Sequence, residues 1–537
     1  TGNYNSSFGR NSLFSNTTAS NNTAVGYYSL FANTTGAYNV AVGNNSLDAN
    51  TTGSYNTAMG VHALGDSTTG ASLTAVGYAA LDKNTTGDSN TAIGESALGA
   101  NTTASNNTAV GTSALLANTT GSNNVAVGLN ALDANTTASN NTAVGYTALS
   151  ANTTGHSLVA VGALALDANT TGRYNTSVGY TSLGQNTTGE FNSALGESAL
   201  AVNTTGSNNT AQGAGALDSN TTASNNTAIG RSALGANTTG TSNVAIGAYS
   251  LDANTTASNN SAVGYAALGN NSTGASNTAL GYAALLANTT GIENVAVGSG
   301  ALDLSTTASN CTAVGFDCLG AVTTGGGNTA LGEQAARVIS TGQNHTILGS
   351  ATAYSLLTGV GCTLVGHALD VTTDNANYAM GLGYDLDCAA DYTTLGAGTS
   401  DIRAAHGNVT WATVSDERYK KDIVDSTAGL SFINALQPRT FKYKNLGELP
   451  ETFSAYKADS TEVFKNSDTN HGFIAQEVKA AIDADSSIKD GFRLWDDRED
   501  GSQEVAEAAL IPVLVKAIQE QNALIEALTT RITTLEG

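Results

Sequence analysis

The chain has 537 residues, of which 60 are Gly, 3 are Pro and 4 are Cys; only 12% are charged, and the net charge is −23. An acidic chain without a basic stripe is a poor candidate for a nucleic-acid-binding protein, and the sequence contains no apolar run long enough (about 18 residues) to predict a membrane-spanning helix. The beginning of the sequence shows no signal peptide, and four scattered cysteines make neither a disulfide framework nor a zinc pattern. We therefore expect no nucleic-acid partner, no membrane insertion, no metal and no cofactor.

The charged residues divide the chain into two parts near residue 400. Residues 1–400 contain 5 Lys or Arg and 20 Asp or Glu, whereas residues 401–537 contain 15 and 23, together with all three prolines and both tryptophans. Two different architectures are therefore joined in one chain.

The first part is a repeat with a period of 17 residues. Nineteen consecutive units fit without a gap between Asn16 and Val338, and a typical unit reads Asn-Thr-Thr-Gly-x-x-Asn-Thr-Ala-Val-Gly-x-x-Ala-Leu-x-Ala. We number the unit from this first Asn. Position 11 is Gly in all nineteen units, position 10 is aliphatic or Met in eighteen (Gln212 is the exception), and position 15 is Leu in eighteen (Ala336 is the exception).

Each unit is too short for two helices, and its composition predicts β-structure. Asn-Thr-Thr-Gly is typical of a turn, and positions 7–11 predict a short strand that ends at Gly. We predict a second short strand at positions 13–15. A unit that buries one aliphatic side chain at position 10 and one Leu cannot fold alone, so we expect stacked units with continuous columns. Small Ala residues at positions 9, 14 and 17 would let another copy approach closely.

The predicted fold of the first part is therefore an all-β parallel β-roll, a β-solenoid of about 23 rungs, where one rung is one 17-residue unit. Regular repeats are expected over residues 1–355 and an irregular continuation over 356–400, followed by a neck at 401–414. The pentad Asn107-Thr108-Ala109-Val110-Gly111 resembles the head repeats of trimeric autotransporter adhesins, and the Asn-Thr-Thr-Gly spacer resembles repeats of phage tail fibres. This resemblance implies a left-handed roll that assembles as a homotrimer.

Four blocks mark the second part, residues 415–537. They are Ser-Asp-Glu-Arg-Tyr-Lys-Lys-Asp-Ile from residue 415, Leu-Gln-Pro-Arg-Thr-Phe-Lys-Tyr from 436, His-Gly-Phe-Ile-Ala-Gln-Glu-Val from 471, and Leu-Ile-Pro-Val-Leu-Val-Lys-Ala-Ile-Gln-Glu from 510. Together they resemble the C-terminal intramolecular chaperone of phage endosialidases and tail fibres, an auto-processing serine peptidase. The resemblance implies an α+β chaperone domain that helps the β-fold to trimerise.

The same resemblance implies self-cleavage. The residues that match its motif are Ser415 as the nucleophile and Lys420 as the base, with the scissile bond between Val414 and Ser415. A Lys can activate a Ser hydroxyl only where its own proton is easily lost. Lys421 is an alternative base, and a domain that folds and stays attached is an alternative outcome. We expect no activity on other substrates.

Residues 510–536 independently predict a coiled-coil helix. Heptad position a is occupied by Ile511, Ile518, Ile525 and Ile532, and position d by Leu514, Gln521, Leu528 and Leu535. Ile at a with Leu at d favours two strands, whereas the resemblance implies three. We expect the trimer, because the long stacked solenoid should outweigh a short coil.

Taken together, the sequence predicts a viral tail fibre, a host-recognition adhesin located in the virion tail. Its partners would be two further copies of the chain, a glycan or protein receptor on the host surface, and other virion tail proteins on the N-terminal side. The alternative is a bacterial trimeric adhesin at the cell surface with an uncleaved chaperone cap. Asp residues at position 16 of several units would form either a solvated face or a calcium site, and the solvated face is favoured.

Overall fold

The computed structural model describes residues 2–398, 400–407, 417, 420–485, 488, 494–497 and 502–537. The chain separates into two compact units, Thr1–Val414 and Ser415–Gly537. No helix among the described residues is both long and apolar enough to cross a membrane.

The first unit is the predicted β-solenoid. Each rung contributes one strand to a 25-stranded sheet, and each strand pairs in parallel with the strand one repeat away, as Thr108 does with Val125. The strand falls at positions 8–10 of the unit, inside the predicted segment. The three-residue strands β1–β21 are Ser6–Phe8, Thr23–Val25, Val40–Val42, Thr57–Met59, Thr74–Val76, Thr91–Ile93, Thr108–Val110, Val125–Val127, Thr142–Val144, Val159–Val161, Thr176–Val178, Ser193–Leu195, Thr210–Gln212, Thr227–Ile229, Val244–Ile246, Ser261–Val263, Thr278–Leu280, Val295–Val297, Thr312–Val314, Thr329–Leu331 and Thr346–Leu348.

After β21 the rungs become less regular. The further strands are β22 (Thr363–His367), β23 (Asp370–Val371), β24 (Met380–Tyr384), β25 (Asp387–Cys388), β26 (Tyr392–Ala397) and β27 (Ser400–Ala405). Strands β22, β24 and β26 extend the parallel sheet, β23 pairs with β25, and β27 runs antiparallel to β26. The glycine column passes from Gly366 through Gly383 to Gly396, so the 17-residue spacing persists one rung further than the sequence pattern suggests.

The interior of the roll differs from the prediction in one respect. Successive side chains of a strand point to opposite faces, and here position 9 points inward while positions 8 and 10 point outward. Ala109 is fully buried, for example, whereas Ile93 at position 10 is 40% exposed. The prediction that the position-10 aliphatic side chain is buried within the single chain is therefore wrong. In the regular rungs the roll is narrow, so its strand face is filled almost entirely by Ala. The Ala residues at positions 9 and 14 fill the interior instead of contacting another copy.

The second strand predicted at positions 13–15 does not form. Residues at positions 13 and 15 both have positive φ in most rungs, as Asn45 (52°) and Leu47 (53°) do, so the backbone there is not extended. Rungs still bond to each other at this side, since the Leu47 N–H donates to Ala63 O at 2.9 Å. The Leu at position 15 is buried, as predicted.

Two ladders of buried Asn side chains run along the solenoid, at positions 1 and 7. At position 7, the Asn39 backbone N–H donates to Asn22 Oδ1 at 2.9 Å, and Asn39 Nδ2 donates to Gly53 O at 2.9 Å. At position 1, Asn50 Nδ2 donates to Asn33 Oδ1 at 2.8 Å and also to Gly53 O at 3.1 Å. Each rung is thus bonded to its neighbour through side chains as well as backbone. The Asn of the Asn-Thr-Thr triplet is a buried structural residue within the predicted turn.

The position-1 ladder is interrupted where Ser replaces Asn, and this gives a stability prediction. Asn50 Oδ1 faces the rung of Ser67, Asn288 Oδ1 faces that of Ser305, and all four side-chain oxygens are buried without a hydrogen-bond partner. We expect Ser67→Asn to raise the free energy of unfolding by about 1–2 kcal/mol, because an unmet buried acceptor gains a donor. Ser305→Asn should gain less, because Val322 in the next rung offers no donor to the new Oδ1. Thermal unfolding measures the gain.

The matched control for the ladder prediction is Ser67→Ala, which removes one unpartnered oxygen but leaves Asn50 Oδ1 unmet. Ser67→Ala should raise the free energy of unfolding by less than Ser67→Asn does. Equal melting temperatures for Ser67→Asn and Ser67→Ala would show that the ladder bond contributes nothing.

The second unit is small and mixed α+β, as predicted. Its elements are α1 (Leu430–Ala435), β28 (Arg439–Phe441), a 3₁₀ turn (Leu446–Glu448), β29 (Asn470–Gly472), α2 (Ala475–Ala484), β30 (Trp495–Asp497), β31 (Gln503–Val505), a second 3₁₀ turn (Glu507–Ala509) and α3 (Leu510–Glu536). Strands β28 and β29 form one antiparallel pair, and β30 and β31 form another. The core contains Phe432 of α1, Val478 and Ile482 of α2, and Leu510 and Val513 of α3.

Candidate functional site

The predicted cleavage site lies at the boundary between the two units, which falls between Val414 and Ser415. Both of these residues lie outside the described part of the chain. The predicted base, Lys420, is described: its backbone N–H donates to Glu417 O at 2.9 Å, and its side chain is exposed in the single chain. The alternative base, Lys421, is also exposed.

An ion pair joins two of the sequence blocks in the second unit. Arg439 Nε donates to Glu477 Oε2 at 2.9 Å and Arg439 Nη2 donates to Glu477 Oε1 at 2.7 Å, which is the two-pronged geometry that carboxylates favour with guanidinium. Arg439 Nη2 also donates to Gln437 Oε1 at 2.6 Å. The contact lowers the pKa of Glu477 and raises that of Arg439, first through the hydrogen bond and then through the charges. It fixes β28 against α2.

A second polar contact ties the long helix to this core. Glu520 Oε2 in α3 accepts the backbone N–H of Leu430, the first residue of α1, at 2.8 Å. Gly429 lies so close that an added Cβ would be 2.4 Å from the Glu520 carboxylate. The first two turns of α3 also pack on the unit through the buried side chains of Leu510, Val513 and Ala517.

A neighbouring face of α3, about 100° around the helix from the packed one, is exposed in the single chain and carries the predicted heptad. Its apolar a and d side chains are exposed, from Leu514 at 43% to Leu535 at 83%. The exposed apolar members are Ile511, Leu514, Ile518, Ile525, Leu528, Ile532 and Leu535. One helix thus has a face that packs on its own unit and a second, unpartnered apolar face that is typical of a coiled-coil seam.

The solenoid carries an apolar face of its own, formed by side chains that the sequence pattern predicts to lie in the interior. The side chains at position 10 stack in register from rung to rung, as Val297 does on Leu280, and point outward. Those 37–53% exposed are Val25, Met59, Ile93, Leu195, Ile246, Leu280 and Leu331. We call this row the position-10 stripe. A sequence signal for the position-10 stripe exists: side chains alternate along a strand, so a strand with Ala at its centre facing inward must point its positions 8 and 10 outward.

Two histidines on either side of the predicted cleavage site in sequence, His406 and His471, have ordinary structural surroundings. In the first unit, His406 donates its backbone N–H to Asp391 O at 2.8 Å, and its Nε2 lies 3.3 Å from Thr393 Oγ1. In the second unit, His471 is exposed and lies opposite Thr440 in the β28–β29 pair. Neither geometry indicates a catalytic group.

His345 is the buried titratable group with the most specific contacts. It replaces Asn at position 7 and reproduces both Asn bonds: Nδ1 accepts the Cys362 backbone N–H at 3.1 Å, and Nε2 donates to Gly359 O at 2.8 Å. A carbonyl only accepts and an N–H only donates, so these partners require the neutral ring with its proton on Nε2. Burial lowers the pKa of His345.

The pH dependence of the rungs around His345 follows from that lowered pKa. The folded chain holds the ring neutral, while the unfolded chain binds a proton near the ordinary pKa of about 6.5. The contribution of the neutral His345 ring to the free energy of unfolding is therefore fully present above about pH 6.5 and is lost as the pH decreases below that value. We expect wild type to lose more thermal stability than His345→Asn between about pH 8 and pH 5, because Asn makes the same bonds without titrating. An identical loss in both proteins would contradict this assignment.

Carboxylates at position 16 form a half-buried row. Burial raises the pKa of Asp48, Asp133, Asp167, Asp252 and Asp303. Within the described ranges, no group of three or more His, Cys, Asp or Glu side chains is placed to hold a metal ion. All four cysteines are free and buried.

Comparison with known proteins adds one finding. Residues 415–485 match the model of the family described as chaperone of endosialidase. Searches of curated proteins and of solved structures gave no match. The matched segment begins at the predicted nucleophile and includes α1, β28, β29 and α2, with the Arg439–Glu477 pair. This match and the solenoid of 17-residue repeats together fit a tail-fibre-like protein that carries an endosialidase-type chaperone.

Proposed function

We propose that the chain is a virion tail fibre whose second unit chaperones the folding of three solenoids into a trimer and then cuts itself off between Val414 and Ser415. The observation that carries the proposal is the family match over residues 415–485, which starts at Ser415 and coincides with the boundary between the compact units. The fibre would hold a host-binding surface away from the particle. Its partners would be two further copies, a host receptor and other tail proteins.

Two apolar surfaces support assembly with further copies. The position-10 stripe and the open heptad face of α3 both expose apolar side chains in the single chain that contact with further copies would bury. Fully burying an exposed aliphatic side chain contributes about 1.5–3 kcal/mol, and the half-covered side chains of the stripe would each contribute roughly half of that. A row repeated on almost every rung is therefore a large driving force for association. Gln212 interrupts the stripe and would place a polar layer at one level of the trimer.

The proposed cleavage is an intramolecular acyl transfer followed by hydrolysis. Ser415 Oγ adds to the carbonyl carbon of Val414 and gives its proton to Lys420, and the Val414–Ser415 C–N bond breaks as the amine takes a proton from Lys420. The resulting ester is then hydrolysed by water, which leaves a carboxylate on Val414. Because Lys420 is exposed in the single chain, the base would be activated when a neighbouring copy covers it, and cleavage would wait for assembly.

The experiment that tests self-cleavage is the denatured mass of the purified chain beside that of Ser415→Ala. We expect wild type to give a fragment that ends at Val414, whereas the variant stays whole. Lys420→Met should also stay whole, while Lys421→Met should be cleaved as wild type. If wild type remains at full length under conditions where it is assembled, the nucleophile assignment is wrong and the second unit is a permanent trimerisation cap, as in the adhesin alternative.

A further inference from the structure

A group of side chains on the solenoid turn stands out from the rest of that surface. Positions 5 and 6 lie between the Asn-Thr-Thr-Gly turn and the strand, and in most units they hold Ser, Asn, Ala or Thr. In three consecutive rungs they hold instead His156, Arg173 with Tyr174, and Glu190 with Phe191. We call these five residues the turn patch.

The turn patch is ordered by its own contacts. The rings of Tyr174 and Phe191 stack with centroids 4.9 Å apart and an interplanar angle of 12°, and the His156 ring meets Tyr174 edge-on at 5.2 Å. Arg173 Nε donates to Glu190 Oε1 at 3.1 Å beside the rings. Tyr174 and Phe191 are about half exposed, so the patch presents ring surface together with charged groups to solvent.

Local backbone preference does not explain these aromatic residues. Position 6 has positive φ, 58° at both Tyr174 and Phe191, a conformation in which Asn is favoured and bulky side chains are unfavourable. Asn208 occupies the same place in the next rung. Position 6 also carries stacked rings at Tyr38 and Tyr55. The turn patch differs from that pair because a charged pair, Arg173 with Glu190, lies beside its rings.

We propose that the turn patch binds a neutral oligosaccharide. A sugar ring presents C–H groups that pack on aromatic surface and hydroxyls that both donate and accept hydrogen bonds. Here the Arg173 guanidinium supplies donors, and the Glu190 carboxylate supplies acceptors. An acidic glycan would be disfavoured by the net charge of −23 and by Glu190 itself. The patch is open, so each copy binds weakly; the expectation of high avidity rests on the trimer proposed above.

The test measures binding of the purified full chain to surfaces coated with neutral polysaccharides (mannan, galactan and glucan) and with acidic ones (polysialate and a uronic-acid polymer). The variant Tyr174→Asn/Phe191→Asn introduces the residue that neighbouring rungs carry at this φ. The matched control is Tyr38→Asn/Tyr55→Asn, a stacked pair at the same position, 5.1 Å apart, without charged neighbours. Thermal unfolding confirms that both variants are folded.

We expect wild type and the control to bind at least one neutral surface and the Tyr174→Asn/Phe191→Asn variant to bind it at least tenfold more weakly. Equal binding by both double variants, binding to acidic surfaces alone, or no binding to any neutral surface would overturn the proposal. The native mass of the same samples separates this outcome from failure of the fibre proposal. A trimer that binds no neutral surface contradicts only the turn patch.

Discussion

Replacing Gly213 by Ala is expected to destabilise the solenoid by about 3 kcal/mol or more. Gly213 occupies position 11, with φ of 134°, and an added Cβ would lie 2.5 Å from the backbone oxygen of Gly230 in the next rung. Neither backbone can move away, because each is bonded into the parallel sheet on both sides. Since neighbouring rungs stabilise one another, the loss should spread along the stack. Thermal unfolding and amide exchange near residues 213–230 measure it.

The matched control for this glycine lies two residues further along the same rung. Gly215 also has positive φ, 66°, but its added Cβ would meet only Ser232 Oγ, at 3.7 Å. Most rungs carry a side chain at this position with a similar φ, as Ser198 does at 56°. We expect Gly215→Ser to change the stability by no more than about 1 kcal/mol. If Gly213→Ala and Gly215→Ser have the same melting temperature, close approach between rungs does not explain why position 11 is always Gly.

Charging the position-10 stripe is expected to abolish assembly. Ile246 and Leu280 are 38% and 48% exposed in the single chain, so the double variant Ile246→Asp/Leu280→Asp leaves the interior of the roll untouched. In the proposed trimer, six carboxylates would be buried without partners, which costs several kcal/mol for each. We expect circular dichroism like that of wild type but a native mass of a single chain.

The control for the charged stripe is Thr239→Asp/Thr273→Asp. These two residues belong to the same rungs as Ile246 and Leu280, but lie at position 3 on the exposed turn. They add the same charge at the same height along the solenoid, and assembly should be unchanged. A trimeric Ile246→Asp/Leu280→Asp chain would show that assembly does not need the position-10 stripe, and that copies meet elsewhere, such as on the heptad face of α3.

The repeat period, the glycine column and the buried Leu column could be predicted from the sequence because each recurs at one spacing. The direction of the strand side chains could not be read from hydrophobicity, which places Val inside and Ala outside. The narrow interior of the regular rungs reverses that order, since it is filled by small side chains, almost always Ala, at the centre of each strand. The Asn columns carried a usable signal: position 1 and position 7 are each Asn in sixteen of the nineteen units, more than a turn requires.

The second unit was predicted from its blocks, and the family match over residues 415–485 confirms the endosialidase-type chaperone. The pairing of Arg439 with Glu477, two blocks and 38 residues apart, is a tertiary contact that no local pattern specifies. The roles of Ser415 and Lys420 remain predictions, because the surroundings of the nucleophile are outside the described residues. The turn patch was not predicted, although its three consecutive rungs bring rings and charges together in a column that is mostly small and polar.

The central claim is that three copies of the chain assemble through their solenoids under the control of the second unit. Sedimentation equilibrium of Ser415→Ala, which keeps every chain whole, measures this directly. The account predicts one species with about three times the 53.9 kDa chain mass, maintained on dilution. A folded species with the mass of one chain across the same concentrations would contradict it.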